Sequence, residues 1–108
     1  MAKFKPGEVW QVDLGLAAKI RPCLILSDYP RDNELALVVM VPHTTALRGN
    51  RWELSIPKTF LKPGAFHLQQ IQSVSLARLE RKLGSLTTGE FLSVKASLTH
   101  LFELIPFT

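Results

Sequence analysis

The sequence predicts a mainly β protein, a small closed barrel of five or six short strands with one C-terminal helix packed against it. Most of the chain consists of short apolar or alternating segments separated by turn-forming residues. The last segment changes to the three- and four-residue spacing of a helix. The chain has 108 residues, of which 46% are hydrophobic, enough for one modest core but not for two. We therefore expect a single domain over residues 1–108.

Five segments have the composition of strands: residues 8–14, 22–27, 35–41, 52–56 and 65–75. In the first, polar and apolar residues alternate, as in a half-buried strand. The third is too continuously apolar to have one face in water, so we expect it to be the central strand. After the fifth, a single helical turn is expected over residues 76–81.

The C-terminal segment has a start signal, a periodic face and a stop signal for a helix. Thr87 and Glu90 have the spacing of a capping box, in which each side chain bonds the other residue's backbone amide. Pro106 is expected to end the helix. The apolar residues between them recur at helical spacing and predict one buried face: Phe91, Val94, Leu98, Leu101 and Phe102.

The composition favours a cytoplasmic protein that does not enter a membrane. The longest apolar run, residues 35–42, is far shorter than the roughly 20 residues needed to cross a bilayer. The N-terminal lysines are not followed by the apolar stretch of a secretory signal. Cys23 is the single cysteine, so no intramolecular disulfide can form. Its apolar neighbours favour a small buried hydrophobe over a nucleophile.

Several classes of enzyme site are missing from the sequence. No glycine-rich phosphate loop and no Gly-x-Ser-x-Gly segment occurs. The three histidines are widely spaced and lack neighbours at zinc-ligand spacing. We therefore expect neither a metal nor a cofactor. The net charge of +4 fits a partner that carries phosphate or carboxylate, but the basic residues are scattered, and a mildly basic balance without a specific role fits equally well.

Two polar segments are candidates for a site. Arg21 stands at the mouth of an apolar strand, where Pro22 fixes the chain direction, and a guanidinium held there suits a phosphate. Residues 43–45, His-Thr-Thr, follow the most apolar strand, and hydroxyls leaving a rigid strand can hold a substrate. Each segment also has an ordinary explanation, a solvated arginine and threonines that bond the local backbone.

The order of these segments resembles the MazF/PemK family of bacterial toxin ribonucleases, from about Phe4 to Leu104. The matching segments read PGEVWQVDLG, RPCLILS, VPHTT, FHLQQIQSVS and KLGSL, at residues 6–15, 21–27, 41–45, 66–75 and 82–86. The Gly-Glu-Val-Trp and Arg-Pro segments are fairly specific together, at this separation and followed by the terminal helix.

The resemblance implies a homodimeric SH3-like barrel of the MazF/CcdB toxin type, held in check by an antitoxin protein. Such a toxin cuts single-stranded RNA without metal and leaves a 2′,3′-cyclic phosphate and a 5′-hydroxyl end. Arg21 falls on the family's catalytic arginine, which stabilises the phosphate, and Thr44 falls on its loop threonine, which donates to the same phosphate. The supporting RNA-binding candidates are Lys19, His43, Thr45, Gln69 and Gln72.

This sequence departs from the family pattern at three places. Gln69 and Gln72 occupy positions where the family usually has an acidic residue and an arginine, and neutral amides supply neither charge nor a titrating group. The loop at residues 16–20, expected to gate RNA and to meet the antitoxin, is shorter than usual and lacks an acidic residue. His43 is a candidate replacement for proton transfer, since an imidazole titrates near neutral pH.

Two alternatives to an active ribonuclease remain open on the sequence. The first is a barrel that has lost catalysis and binds RNA or a protein. A relative on the same barrel poisons DNA gyrase through its C-terminal tip, and residues 104–108 are apolar enough to allow that role. The second is an interaction module without nucleic acid, which the matches at Arg21 and Thr44 disfavour. Trp10 and Trp52 alternate within strands, so we expect them in the core or in a dimer interface rather than stacked on bases.

Overall fold

The computed structural model describes residues 3–15 and 19–104, and within them it contains seven β-strands and one C-terminal α-helix. The strands are β1 (Glu8–Asp13), β2 (Ile20–Ile25), β3 (Leu37–Thr44), β4 (Glu53–Leu54), β5 (Ala65–His67), β6 (Gln72–Ser75) and β7 (Leu79–Ser85), and the helix is α1 (Thr88–Leu101). The predicted fold class, mainly β with a C-terminal helix, is confirmed.

The strands form one antiparallel sheet in the order β4-β5-β3-β2-β1-β7, and β6 also pairs with β3. β6 and β7 therefore lie at the two ends of the path β6-β3-β2-β1-β7. The 3₁₀ turn Leu76–Arg78 connects them in sequence. The predicted barrel is not closed by hydrogen bonds, because in the described part of the chain a turn, not a ladder, joins these two ends.

Alternate residues of the strands fill two separate cores. In β2, for example, Cys23 and Ile25 point to one side of the sheet and Leu24 to the other. The inner core receives side chains from all five strands of the curved path: Trp10, Val12, Cys23, Ile25, Val38, Met40, Val74 and Leu79, together with Phe4. The outer core lies under α1 and the β4–β5 hairpin: Val9, Leu24, Val41, Trp52, Phe66, Leu68, Leu86 and Val94. This two-residue alternation is why the strands could be predicted.

All five predicted strands have different bounds in the structure; β3, for example, begins at Leu37 rather than at residue 35, and the strand expected over residues 52–56 is reduced to Glu53–Leu54. The long strand expected over residues 65–75 is interrupted by the 3₁₀ turn Leu68–Gln70, because fully buried Leu68 turns into the outer core. The amide of Leu68 donates to the carbonyl of Trp52 at 3.0 Å, outside any ladder. The helical turn expected over residues 76–81 ends at Arg78, and Leu79 begins β7, which pairs with β1.

The helix begins as predicted. The Thr87 side chain accepts from the amide of Glu90 at 3.2 Å, and the Glu90 carboxylate accepts from the amide of Thr87 at 2.8 Å. Val94 is fully buried, whereas Phe102 is 49% exposed at the C-cap and does not belong to the buried face. Pro106, the predicted stop, lies outside the described residues.

Cys23 and both tryptophans are core residues, as expected. Burial raises the pKa of the Cys23 thiol to about 12, so it has no thiolate character at neutral pH. The indole of Trp10 donates to the Glu8 carboxylate at 3.0 Å. Trp52 is 9% exposed and its ring lies 4.4 Å from the guanidinium of Arg51. No helix in the described ranges is long and apolar enough to span a membrane.

Candidate RNA-binding cleft

A cleft of about 390 Å³ opens on the outer face of the barrel, beside the region that α1 covers. Its floor is a row of residues across three strands, in which Gln11 of β1 lies opposite Pro22 of β2 and Arg81 of β7. Gln11 has the same parity as Val9, an outer-core residue, so its side chain is on the outer face. The lining residues are Gln11, Lys19, Ile20, Arg21, Pro22, His43, Thr45, Phe60, Lys62, Arg81 and Leu83.

The charged residues that line this cleft in the described ranges are all positive. Lys19, Arg21, Lys62 and Arg81 all line it, and no carboxylate is among its lining residues in the described ranges. Such a concentration of cations in one concave surface attracts a phosphodiester backbone. The sequence did not reveal this surface, because its four cations come from three separate segments of the chain, at residues 19–21, 62 and 81.

Arg21 is placed by β2, where it pairs with Val12 of β1 and is partly buried. The preceding loop is closed by two backbone bonds, from the Lys19 amide to the Gly15 carbonyl at 2.8 Å and from the Leu14 amide to the Lys19 carbonyl at 2.9 Å. Lys19 has a φ of 60°, a conformation that non-glycine residues rarely adopt. The backbone at the rim of the cleft is therefore fixed on both sides of residues 16–18, which lie outside the described residues.

His43 reaches the cleft from the buried end of β3. We expected it in a polar loop, but His43 and Thr44 extend the strand and pair with Phe66 and Ala65 of β5. Its ring makes an edge contact with the Phe66 ring, with centroids 5.1 Å apart. The side chain is only 5% exposed, and this burial lowers the pKa of His43 below its ordinary value of 6.5. The imidazole is therefore neutral at neutral pH and able to accept a proton.

The two threonines after His43 differ in position. Thr45 lines the cleft, whereas Thr44 is not among the lining residues. The Thr44 hydroxyl oxygen accepts from the amide of Ala46 at 3.1 Å, a local turn contact. The structure therefore brings Lys19, Arg21, His43 and Thr45 into one cleft and leaves Thr44 beside it.

Gln69 and Gln72 lie apart from this lining. Gln69 is exposed in the 3₁₀ turn between β5 and β6. Gln72 is exposed in β6 opposite Met40, and its amide donates to the carbonyl of Gln70 at 3.3 Å. The resemblance placed both near the substrate, but within one chain neither is among the residues that line the cleft.

Three polar lining residues were not singled out from the sequence: Gln11, Lys62 and Arg81. The alternation of β1 did place Gln11 on the face of Val9, but it did not show what lies opposite. Arg81 faces Gln11 only through the β1–β7 register, which shifts on both sides of this pair. Bulges of this kind re-aim side chains, and nothing local in the sequence indicates them. Within residues 3–15 and 19–104, no three His, Cys, Asp or Glu side chains are grouped as metal ligands would be.

Several solved structures with the same fold are described as MazF proteins or as endoribonucleases. One, described as an endoribonuclease in complex with its cognate antitoxin from mycobacterial species, is 25% identical, with a TM-score of 0.79, covering 97% of this chain and 99% of that chain. A MazE–MazF complex from Deinococcus radiodurans is 19% identical, with a TM-score of 0.78, covering 94% and 97%. The Mycobacterium tuberculosis toxin MazF-mt6 is 22% identical, with a TM-score of 0.70, covering 92% and 99%.

The family of the chain follows from its sequence match. No curated protein matches the chain significantly. A family model does match, over residues 5–102, and these residues include every lining residue of the cleft. The chain belongs to the family of PemK-like, MazF-like toxins of type II toxin–antitoxin systems.

Proposed function

We propose that the chain is a toxin that cuts single-stranded RNA without a metal ion, and that the cleft around Arg21 is its active site. The observation that carries this proposal is the set of four cations, one imidazole and one hydroxyl in a cleft without a lining carboxylate in the described residues. A polyanion is the ligand that this arrangement favours. The family is that of the MazF-like toxins, and a relative with the same fold is described as an endoribonuclease.

The proposed reaction is attack of a ribose 2′-oxygen on the adjacent phosphorus. A P–O2′ bond forms and the P–O5′ bond breaks, which gives a 2′,3′-cyclic phosphate and a 5′-hydroxyl end. Negative charge grows on the phosphoryl oxygens, and donors already in place stabilise it most effectively. Arg21 supplies a planar, permanently charged fork for those oxygens. We assign Arg21 this electrostatic role rather than proton abstraction, because a guanidinium has five donors and no acceptor.

Thr45 is the hydroxyl that we assign to the phosphate. The resemblance put Thr44 in this role, but Thr45 lines the cleft, while the Thr44 oxygen already accepts from Ala46. In this assignment Thr44 holds the backbone of the turn, and the Thr45 hydroxyl donates to the substrate. Lys19, Lys62 and Arg81 hold the flanking phosphates.

We favour an active enzyme over a barrel that only binds RNA or a protein. The binding alternative rested on Gln69 and Gln72, and neither lines the cleft in the single chain. The alternative role as a gyrase poison rested on residues 104–108, of which the last four lie outside the described residues.

The partners that we propose are single-stranded RNA and a cognate antitoxin. A solved relative is described as bound to its cognate antitoxin. An acidic, extended antitoxin segment would complement the charge of the cleft and block RNA at the same time. We also propose a homodimer in the cytoplasm, where messenger RNA is available.

Digestion of a long single-stranded RNA in excess EDTA tests the proposed activity. We expect cuts at a few repeated short sequences, with 5′-hydroxyl ends that polynucleotide kinase labels without prior phosphatase treatment. The same digestion with added Mg²⁺ is the control and should give the same cuts. Binding of RNA by gel shift without any cut would show a binding protein, and loss of the cuts in EDTA would show a metal-dependent enzyme.

A further inference from the structure

His43 stands between two clefts of different chemistry. The second cleft, of about 380 Å³, shares His43 and Lys62 with the basic cleft. Its other walls are largely apolar, formed by Ile56, Pro57, Leu61 and Pro63, with the Ser55 hydroxyl among them. Lys58, a further cation of this lining, is already paired with the Glu90 carboxylate at 2.6 Å. The second cleft thus suits a flat ring with an apolar face and a few hydrogen-bonding groups at its edge. The basic cleft suits a phosphate group.

This pair of clefts fits one nucleotide of single-stranded RNA. A nucleotide carries its base and its 3′-phosphate on opposite sides of the ribose, and proteins recognise unpaired bases by packing on their faces and bonding to their edges. If the phosphate binds among the cations of the first cleft and the nucleobase lies between Ile56 and Pro63 of the second, the ribose lies where the two clefts meet. His43 and Lys62 both line that boundary, and of the two we assign the imidazole, which accepts a proton in its neutral form, to the 2′-hydroxyl.

We propose that His43 is the general base that removes the proton from the attacking 2′-hydroxyl. The nucleobase of that nucleotide is seated in the second cleft. This rests on the proposed function. An imidazole nitrogen takes the 2′-proton as the P–O2′ bond forms and the P–O5′ bond breaks. The departing 5′-oxygen takes a proton from water, and the imidazolium returns its proton to water once the products leave. Arg21 keeps its charge throughout.

The surroundings of His43 suit a base rather than an acid. Its ring is buried against Phe66 and neutral at neutral pH, so a proton can be accepted without first being lost. The charged groups that face the two clefts around it are cations from β2 and its preceding loop, from the 55–64 segment and from β7: Lys19, Arg21, Lys58, Lys62 and Arg81. No carboxylate lines either cleft in the described residues, so we assign an acid limb in the pH profile to His43.

The test replaces His43 with glutamine, which forms hydrogen bonds but does not take up a proton. We expect kcat to fall by about 10²-fold or more, the usual contribution of a general base, with KM changed by less than about twofold. The kcat of the wild type should decrease as the pH is lowered and His43 becomes protonated, and it should be constant above the pKa of His43. The kcat of His43→Gln should not show this decrease at low pH. His67→Gln is the matched control, because His67 is also buried, on the neighbouring strand, but lines neither cleft.

The outcomes separate this proposal from the activity itself. Cleavage by His43→Gln at the wild-type kcat, or with the wild-type acid limb, would overturn the role of His43 and leave the ribonuclease intact. No cleavage by the wild type overturns both. If His43→Gln unfolds, as judged by circular dichroism, the wild-type pH profile still decides, because a profile without an acid limb contradicts a histidine base.

Discussion

Replacing Arg21 with alanine is expected to lower RNA cleavage by on the order of 10³-fold or more, while the protein stays folded. Loss of one preorganised donor to a developing oxyanion costs about 10²- to 10³-fold, and a charged arginine on a phosphoryl group contributes more. Arg21 is only partly buried at the start of β2, so the free energy of unfolding should change by about 1 kcal/mol or less. Single-turnover cleavage and urea unfolding measure the two effects separately.

Two further variants show what property of Arg21 matters. Arg31→Ala removes the same charge from the exposed connection between β2 and β3, and should leave cleavage within about twofold of wild type. Arg21→Lys keeps the charge but removes the planar fork, so an intermediate loss is expected. Unfolding of Arg21→Ala would make the residue structural, and full activity in a folded Arg21→Ala would remove it from the site.

Gly64→Ala is the second substitution with a large expected effect. Gly64 packs directly on the end of β3, where an added Cβ would overlap the carbonyl oxygen of Thr44 and come 2.8 Å from Cε1 of His43. A backbone oxygen cannot rotate aside, so the strand end must move, and overpacking of this kind costs about 1–3 kcal/mol. The same shift displaces His43 and Thr45, and a misplacement of about 1 Å can cost 10²-fold in rate. The free energy of unfolding measured in urea and the kcat should both be lower than in the wild type.

Gly89→Ala is the matched control for this effect. Gly89 lies in the first turn of α1, and its added Cβ would meet nothing within 4 Å. Alanine is the better helix former, so the free energy of unfolding should rise by about 0.5–1 kcal/mol, with cleavage unchanged. Equal stability and activity of Gly64→Ala and wild type would contradict the tight contact between Gly64 and the end of β3.

The features that the sequence predicted well are those fixed by neighbouring residues. The capping box at Thr87 and Glu90 needs a spacing of three, and the two cores need alternation within each strand. Predictions of burial from composition were wrong where burial depends on residues that are distant in the sequence. Leu35 continues an apolar run, yet it is 77% exposed, because β3 and its pairing begin at Leu37.

The candidate site was predicted in part for the same reason. Arg21 and His43 stand at strand ends that the sequence already indicated, and both line the cleft. Arg81 and Lys62 arrive there through strand register and through the path of the 55–64 segment, which no local pattern encodes. The choice between Thr44 and Thr45 turns on one residue of register, and a one-residue difference changes which side chain faces a site.

The most direct test of the whole account compares two oligonucleotides that share one mapped cut site. One is all RNA, and the other has a single 2′-deoxyribose at the nucleotide on the 5′ side of the cut; both are incubated in excess EDTA. We expect the protein to bind both equally and to cut only the all-RNA strand, because the deoxy strand lacks the attacking 2′-oxygen. Cleavage of both strands at the same rate would contradict it, since the nucleophile would then be water or a protein group rather than the substrate's own hydroxyl.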